Sequence, residues 1–159
     1  RPMNRLLQGE VGSGKTVVAV YALMYAVNSG YQGAIMVPTG ILAQQHYFTM
    51  KELLEPMGIK IVLLTGDIAE EERRKIKMRI SEGSVDIIIG THTLLQETVQ
   101  YKKLGIVVID EQHKFGVKQR GLLGAKAKIG MKGIHPDILV MTATPIPRSL
   151  ALTVYGNMD

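Results

Sequence analysis

At 159 residues, 46% hydrophobic and 21% charged, the chain has the size and balance of one globular domain and is too apolar for a disordered segment. It has no cysteine, which excludes a disulfide scaffold and thiolate metal sites and favours an intracellular setting. The net charge of +5 permits a polyanionic partner without establishing one, and with no Trp and two Phe a base-stacking aromatic platform is not expected.

The first predicted strand, Arg5–Gln8, runs directly into Gly9, Glu10, Val11, Gly12, Ser13, Gly14, Lys15 and Thr16. These eight residues complete the pattern G-x-x-x-x-G-K-[ST], a phosphate-binding loop. Its glycines let successive backbone N–H groups converge on a phosphate, and the start of the following helix adds partial positive charge there. Lys15 is placed to reach the β- and γ-phosphates, and the Thr16 hydroxyl to hold Mg²⁺. A glycine-rich turn that merely opens a helix is the plain alternative; a full match between strand and helix weighs against it. The chain is expected to bind a nucleoside triphosphate. Opening so close to its first strand, it is also expected to be a piece of a longer protein.

Lys15–Ser29 is the first predicted helix, apolar nearly all round through Val17, Val18, Val20, Leu23, Met24 and Val27, and so expected to be central and buried. A strand at Gln32–Val37, a helix at Ile41–Glu55 and a strand at Ile59–Leu64 follow. The helix at Ala69–Glu82 is different. It carries Glu70, Glu71 and Glu72 first and Arg73, Arg74, Lys75, Lys77 and Arg79 later, in the order that suits the helix dipole. Glu70/Arg74 and Glu71/Lys75 are i, i+4 pairs, Ile76 and Ile80 form a narrow inward stripe, and the basic residues read as a solvated face. Strands at Asp86–Gly90, Ile106–Asp110 and Asp137–Thr142 complete six, with a short helical turn at Thr93–Glu97 and helices at Val117–Ala127 and from near Pro147. Most of the strands lack polar alternation, as strands buried on both faces do. The fold class is therefore α/β, a mostly parallel sheet with helices on both faces, in one domain spanning residues 1–159. No apolar run approaches the roughly 20 residues a membrane span needs, and no signal peptide opens the chain, so a cytoplasmic location is expected and a membrane partner is not.

A second chemical signature lies at the end of Ile106–Asp110, where an apolar strand delivers Asp110 and Glu111, followed by Gln112 and His113. Ligands of open α/β sheets bind at such strand ends. Asp110 is the candidate to complete the Mg²⁺ site begun by Thr16, and Glu111 the candidate general base that orients water. Alone the pair is an ordinary acidic strand end; the phosphate loop upstream makes it a site. His46, His92, His113 and His135 show no metal-ligand spacing, so zinc is not expected.

The phosphate loop, the run DEQH at Asp110–His113 and Thr142-Ala143-Thr144 together resemble superfamily 2 helicases and translocases. More narrowly, MNRLLQGEVGSGKT, DEQHKFGVKQR and MTATPIPRSLALTVYGNMD are similar to the first RecA-like motor domain of the RecG family of bacterial ATP-dependent DNA helicases, over essentially the whole chain. Glu10 stands where that family usually has Asp, a change that keeps the charge. Gln112 stands where the related transcription-repair coupling factor reads Glu. The resemblance implies ATP and Mg²⁺ as cofactors and branched or forked DNA as partner. It also implies a wedge domain and a second motor domain elsewhere in the protein, and a role in fork reversal, repair and recombination. It assigns Pro38, Thr39, Thr65, Gly66, Gly90, Thr91 and His92 to gripping one DNA strand by its phosphates, a sequence-independent contact. It assigns Gln112, His113, Thr142, Thr144 and Arg148 to coupling nucleotide state to DNA movement. Read without the family, these are strand-to-helix turns, a capping turn and a surface arginine. Two alternatives stay open: a P-loop switch signalling to a protein partner, and a double-stranded DNA translocase such as the coupling factor.

Overall fold

Short runs of Ile, Val and Leu pair side by side, always in parallel, into a six-stranded sheet. The computed structural model describes residues 4–8, 14–111, 133 and 135–142. In chain order the elements are β1 (Asn4–Gln8), α1 (Lys15–Asn28), β2 (Gln32–Met36), α2 (Gly40–Leu54), β3 (Ile61–Leu64), α3 (Glu70–Glu82), β4 (Ile87–Gly90), β5 (Leu104–Glu111) and β6 (Asp137–Thr142). Single 3₁₀ turns occupy Glu55–Met57 and His92–Leu95. The sheet order is β1-β6-β5-β2-β4-β3. The predicted helices at Val117–Ala127 and from Pro147 lie outside the described residues.

The missing polar alternation has its reason in two cores. Along β2, Ala34 and Met36 pack into one core while Ile35 and Val37 pack into the other. Along β4, Ile88 faces the first and Ile87 and Ile89 the second, and Val107, Ile109, Ile138 and Val140 oppose Ile106, Val108, Leu139 and Met141 in the same way. Period-two geometry sends successive side chains to opposite faces, and both faces are covered. Ile76 and Ile80 of α3 close the first core; Leu23 of α1 and Ala43, Met50 and Leu54 of α2 close the second. The pair Glu71–Lys75 forms on the exposed side of α3 at 3.7 Å.

One expectation needs correction. Helix α1 is not buried all round: Ala19, Leu23 and Ala26 are inside, while Val17, Val18, Tyr21 and Tyr25 are exposed. A helix lying on a sheet buries one stripe, and α1 uses its small residues and Leu23 for that contact. Apolar composition alone does not say how many sides are covered.

Strand ends moved for hydrogen-bonding reasons. Strand β5 begins at Leu104 rather than Ile106 because Gln32 N–H donates to the Lys103 carbonyl at 2.7 Å, drawing the chain into register with β2 earlier. Gln32 is buried at 5% exposure and fully engaged. Its Nε2 donates to the Ile80 and Val85 carbonyls at 3.0 and 3.1 Å, and its Oε1 accepts from Lys103 N–H at 3.1 Å. One side chain thus ties the end of α3 to the approach of β5, a polar clamp acceptable in a core because its groups are paired.

Candidate nucleotide site and neighbouring loops

All six strands point the same way, so every β-to-α loop leaves from one edge of the sheet. On that edge Thr142 is in register with Gln8 of β1 on one side and with Glu111 of β5 on the other. Three motifs far apart in sequence, the phosphate loop, the acidic strand end and the Thr142 segment, therefore emerge from adjacent strands. This is the strand-end position where open α/β sheets bind ligands.

Gly14 precedes α1 with φ 87° and ψ 11°, in the left-handed region, and the space around it is open. Any other residue there is strained by backbone rather than by crowding. The Val18 N–H donates to the Gly14 carbonyl at 3.3 Å, so the helix starts immediately after it. Lys15, half-buried, and Thr16, exposed, are thus the first two helical residues, where the N-terminal end of the helix dipole favours anions. Gly9, Glu10, Val11, Gly12 and Ser13 lie outside the described residues.

Asp110 sits near the end of β5 and is buried at 6% exposure. It shares the strand face of Ile106 and Val108, the face covered by α1 and α2. Its Oδ2 lies 3.0 Å from Nε2 of His46 on α2. Glu111 ends β5; Gln112, His113, Thr144 and Arg148 lie outside the described residues. The metal the motifs imply fits the donors: a threonine hydroxyl and a carboxylate are hard oxygen ligands, suited to Mg²⁺ shared with phosphates. Among the described residues no three His, Cys, Asp or Glu side chains form an all-protein metal cage.

The other half of the edge belongs to β2, β4 and β3, whose loops carry the remaining assigned residues. Pro38 is half-buried and Thr39 exposed. Thr39 caps α2, its Oγ1 accepting from Leu42 N–H at 3.2 Å. Thr65 is buried at 2% exposure and its hydroxyl donates to Asp67. That bond and Asp67's own backbone N–H hold the Asp67 carboxyl below its usual range. Thr65 therefore shapes its loop from inside, and the exposed groups there belong to Gly66 and Asp67. Gly90 is buried too: a β-carbon would lie 2.1 Å from the Leu64 carbonyl oxygen. The family resemblance assigns Gly90 to DNA contact; independently of that, strand packing requires a glycine there. Thr91 is half-buried, its hydroxyl 3.4 Å from that of Thr93, and His92 is exposed.

Three residues organise this edge without having been singled out for it in the sequence, and one of them, Arg73, corrects the reading of the basic residues of α3 as a solvated face. Arg73 of α3 turns back to donate to the Gly66 carbonyl at 2.7 Å and the Ile68 carbonyl at 3.2 Å. Thr93 Oγ1 donates to the Leu64 carbonyl at 2.8 Å, fastening the β4 loop to the β3 loop. His46 was weighed only as a zinc ligand. Its true signal, two apolar neighbours at helical spacing (Ala43 and Met50) around one polar residue, becomes informative only once α2 is known to cover Asp110.

A parallel sheet with a phosphate loop after its first strand, flanked by acidic and threonine strand ends, defines a RecA-like P-loop fold. The chain belongs to the DEAD/DEAH box helicase family, whose model matches residues 2–153. It is 52% identical over 99% of its length to the ATP-dependent DNA helicase RecG of Aquifex aeolicus and 54% identical over 99% to that of Streptococcus pneumoniae. It spans only 19% and 22% of those two proteins. Among solved structures it is similar to RecG bound to a three-way DNA junction, with TM-score 0.80 and 50% identity, covering 100% of this chain and 20% of that one. The helicase MrfA bound to DNA and AMPPNP, at 20% identity and TM-score 0.74 over 99% of this chain and 24% of that one, shares the fold. Among the described residues no helix is long and apolar enough to cross a membrane.

Proposed function

We propose that residues 1–159 are the first RecA-like motor domain of an ATP-dependent DNA helicase of the RecG kind, one piece of a longer bacterial cytoplasmic protein that also carries a wedge and a second motor domain. The observation that supports this reading is the register of Thr142 with both Gln8 and Glu111, which sets side by side the strand ends that lead into the phosphate-loop sequence, the carboxylates and the proposed coupling segment. In this reading Gly9–Thr16 cradle the phosphates of ATP, Lys15 neutralises their charge, and Thr16 and Asp110 hold Mg²⁺, which supplies Lewis-acid stabilisation of the transferring phosphoryl group. Glu111 orients water and accepts its proton. The loops after β2, β3 and β4, with Thr39, Gly66 and His92 exposed and Pro38 and Thr91 half-buried, face the backbone of branched or forked DNA. Gln112, His113, Thr142, Thr144 and Arg148 link hydrolysis to movement against the second motor domain.

The test is hydrolysis by the full-length protein with and without forked DNA. The expected result is strong DNA stimulation, fork unwinding, loss of nucleotide binding in Lys15→Ala, and retained binding without turnover in Glu111→Gln. Hydrolysis indifferent to DNA would favour a nucleotide switch acting on a protein partner. DNA-stimulated hydrolysis with no strand separation would favour a translocase.

A further inference from the structure

The edge of the sheet has a nucleotide half, β1-β6-β5, and a loop half, β2-β4-β3, and a side-chain contact between His46 and Asp110 joins them. His46 lies on α2, the helix that Thr39 caps, and its Nε2 stands 3.0 Å from Asp110 Oδ2. The two side chains are 17% and 7% exposed, so the pair is largely shielded from water. Carboxylate oxygens accept hydrogen bonds, so the contact is made by the form of the ring in which Nε2 carries the proton and donates it. Ala43, one turn before His46, is 0% exposed and Met50, one turn after it, 1%, which presses this side of α2 onto the sheet.

The geometry points to His46 as a positioning residue: its Nε2–H fixes the orientation of Asp110, and through it the affinity of the site for Mg²⁺. The reasoning rests on the reading of Asp110 as a metal ligand. A carboxylate at a strand end can rotate about its Cβ–Cγ bond, and only some orientations aim an oxygen at a cation beside the phosphates. A donor held by a packed helix selects one of them. Outer-sphere partners of metal ligands act in this way, and removing one typically costs about 10- to 100-fold in metal affinity or activity. The sequence distance between the partners is why no motif announces the contact. The bland alternative is that the pair merely staples α2 to β5.

The experiment uses the full-length protein and titrates ADP by calorimetry at graded Mg²⁺, alongside thermal unfolding and the Mg²⁺ dependence of hydrolysis. His46→Ala is expected to raise the Mg²⁺ concentration needed for half-maximal effect by about tenfold or more, while metal-free ADP affinity is unchanged. His46→Gln, whose amide N–H can occupy the place of Nε2, is expected to restore the parent dependence to within about threefold. If His46→Ala proves insoluble, His46→Asn, polar but too short to reach, takes its place with the same expectation. A lowered Tm with unaltered Mg²⁺ dependence overturns the inference and leaves a staple. Asp110→Asn runs in parallel and separates the two layers. If it weakens Mg²⁺ use and His46→Ala does not, only the inference falls; if Asp110→Asn changes nothing either, the metal-site reading falls with it.

Discussion

Gln32→Leu replaces the clamp with a side chain of similar volume and no polar atoms. Three hydrogen bonds disappear, those of Nε2 to Ile80 and Val85 and that of Oε1 from Lys103. Each is worth about 1 kcal/mol net, and backbone groups left inside without a partner cost about 1–3 kcal/mol each. The Ile80 carbonyl keeps the Gly83 N–H at 3.2 Å and exposed Lys103 lies near water, so the heaviest loss falls on the carbonyl of buried Val85. A buried leucine recovers part of this through its better transfer from water. The balance is a destabilisation of about 3 kcal/mol, or about 6–12 °C in Tm for a domain of this size. Urea unfolding followed by circular dichroism measures it. Gln32→Glu should be worse, because it turns a donor facing two carbonyls into an acceptor in a buried place. A Gln32→Leu protein within about 1 kcal/mol of the parent would falsify the claim that this one amide joins α3 to β5.

Thr39→Ala removes the α2 cap and should cost about 1 kcal/mol of stability; if Thr39 also grips DNA, affinity for single strands falls alongside in a fluorescence-anisotropy titration, and unchanged affinity leaves it a cap. Gly90→Ala places a methyl 2.1 Å from the Leu64 carbonyl oxygen and 2.8 Å from Leu94 Cδ2. It should cost about 2–3 kcal/mol as β3 and β4 are forced apart, and an unchanged Tm would show that the strands yield freely. The 159-residue chain by itself should turn ATP over at least about 10³-fold more slowly than the full-length protein if an arginine from the second motor domain stabilises the transferring phosphate. Robust hydrolysis by the isolated chain, lost on Lys15→Ala, sinks that account.

Local chemistry was legible wherever one stretch of residues suffices. The phosphate loop, the apolar strand ending in Asp110 and Glu111, and the acid-then-base order of α3 each stand within a few consecutive positions. The α/β class and the six strands followed from runs too apolar to face water on either side. The order β1-β6-β5-β2-β4-β3 did not, because it depends on which strands meet after each helix crosses the sheet. For the same reason only the folded chain shows that Thr65 and Gly90 are interior residues, although exposed Gly66 and half-buried Thr91 directly follow them. The outer face of α1 was misjudged because composition reports what a helix would bury, whereas the number of neighbours decides what it does bury. His46 marks the limit most sharply. Nothing near it in sequence distinguishes it from any half-buried histidine, and its partner is Asp110, brought within 3.0 Å by the packing of α2 against the sheet. Residue types and their spacing determined which chemistry is present; tertiary packing decided which groups touch, because hydrogen bonds and close contacts act over a few ångströms of space whatever the separation along the chain.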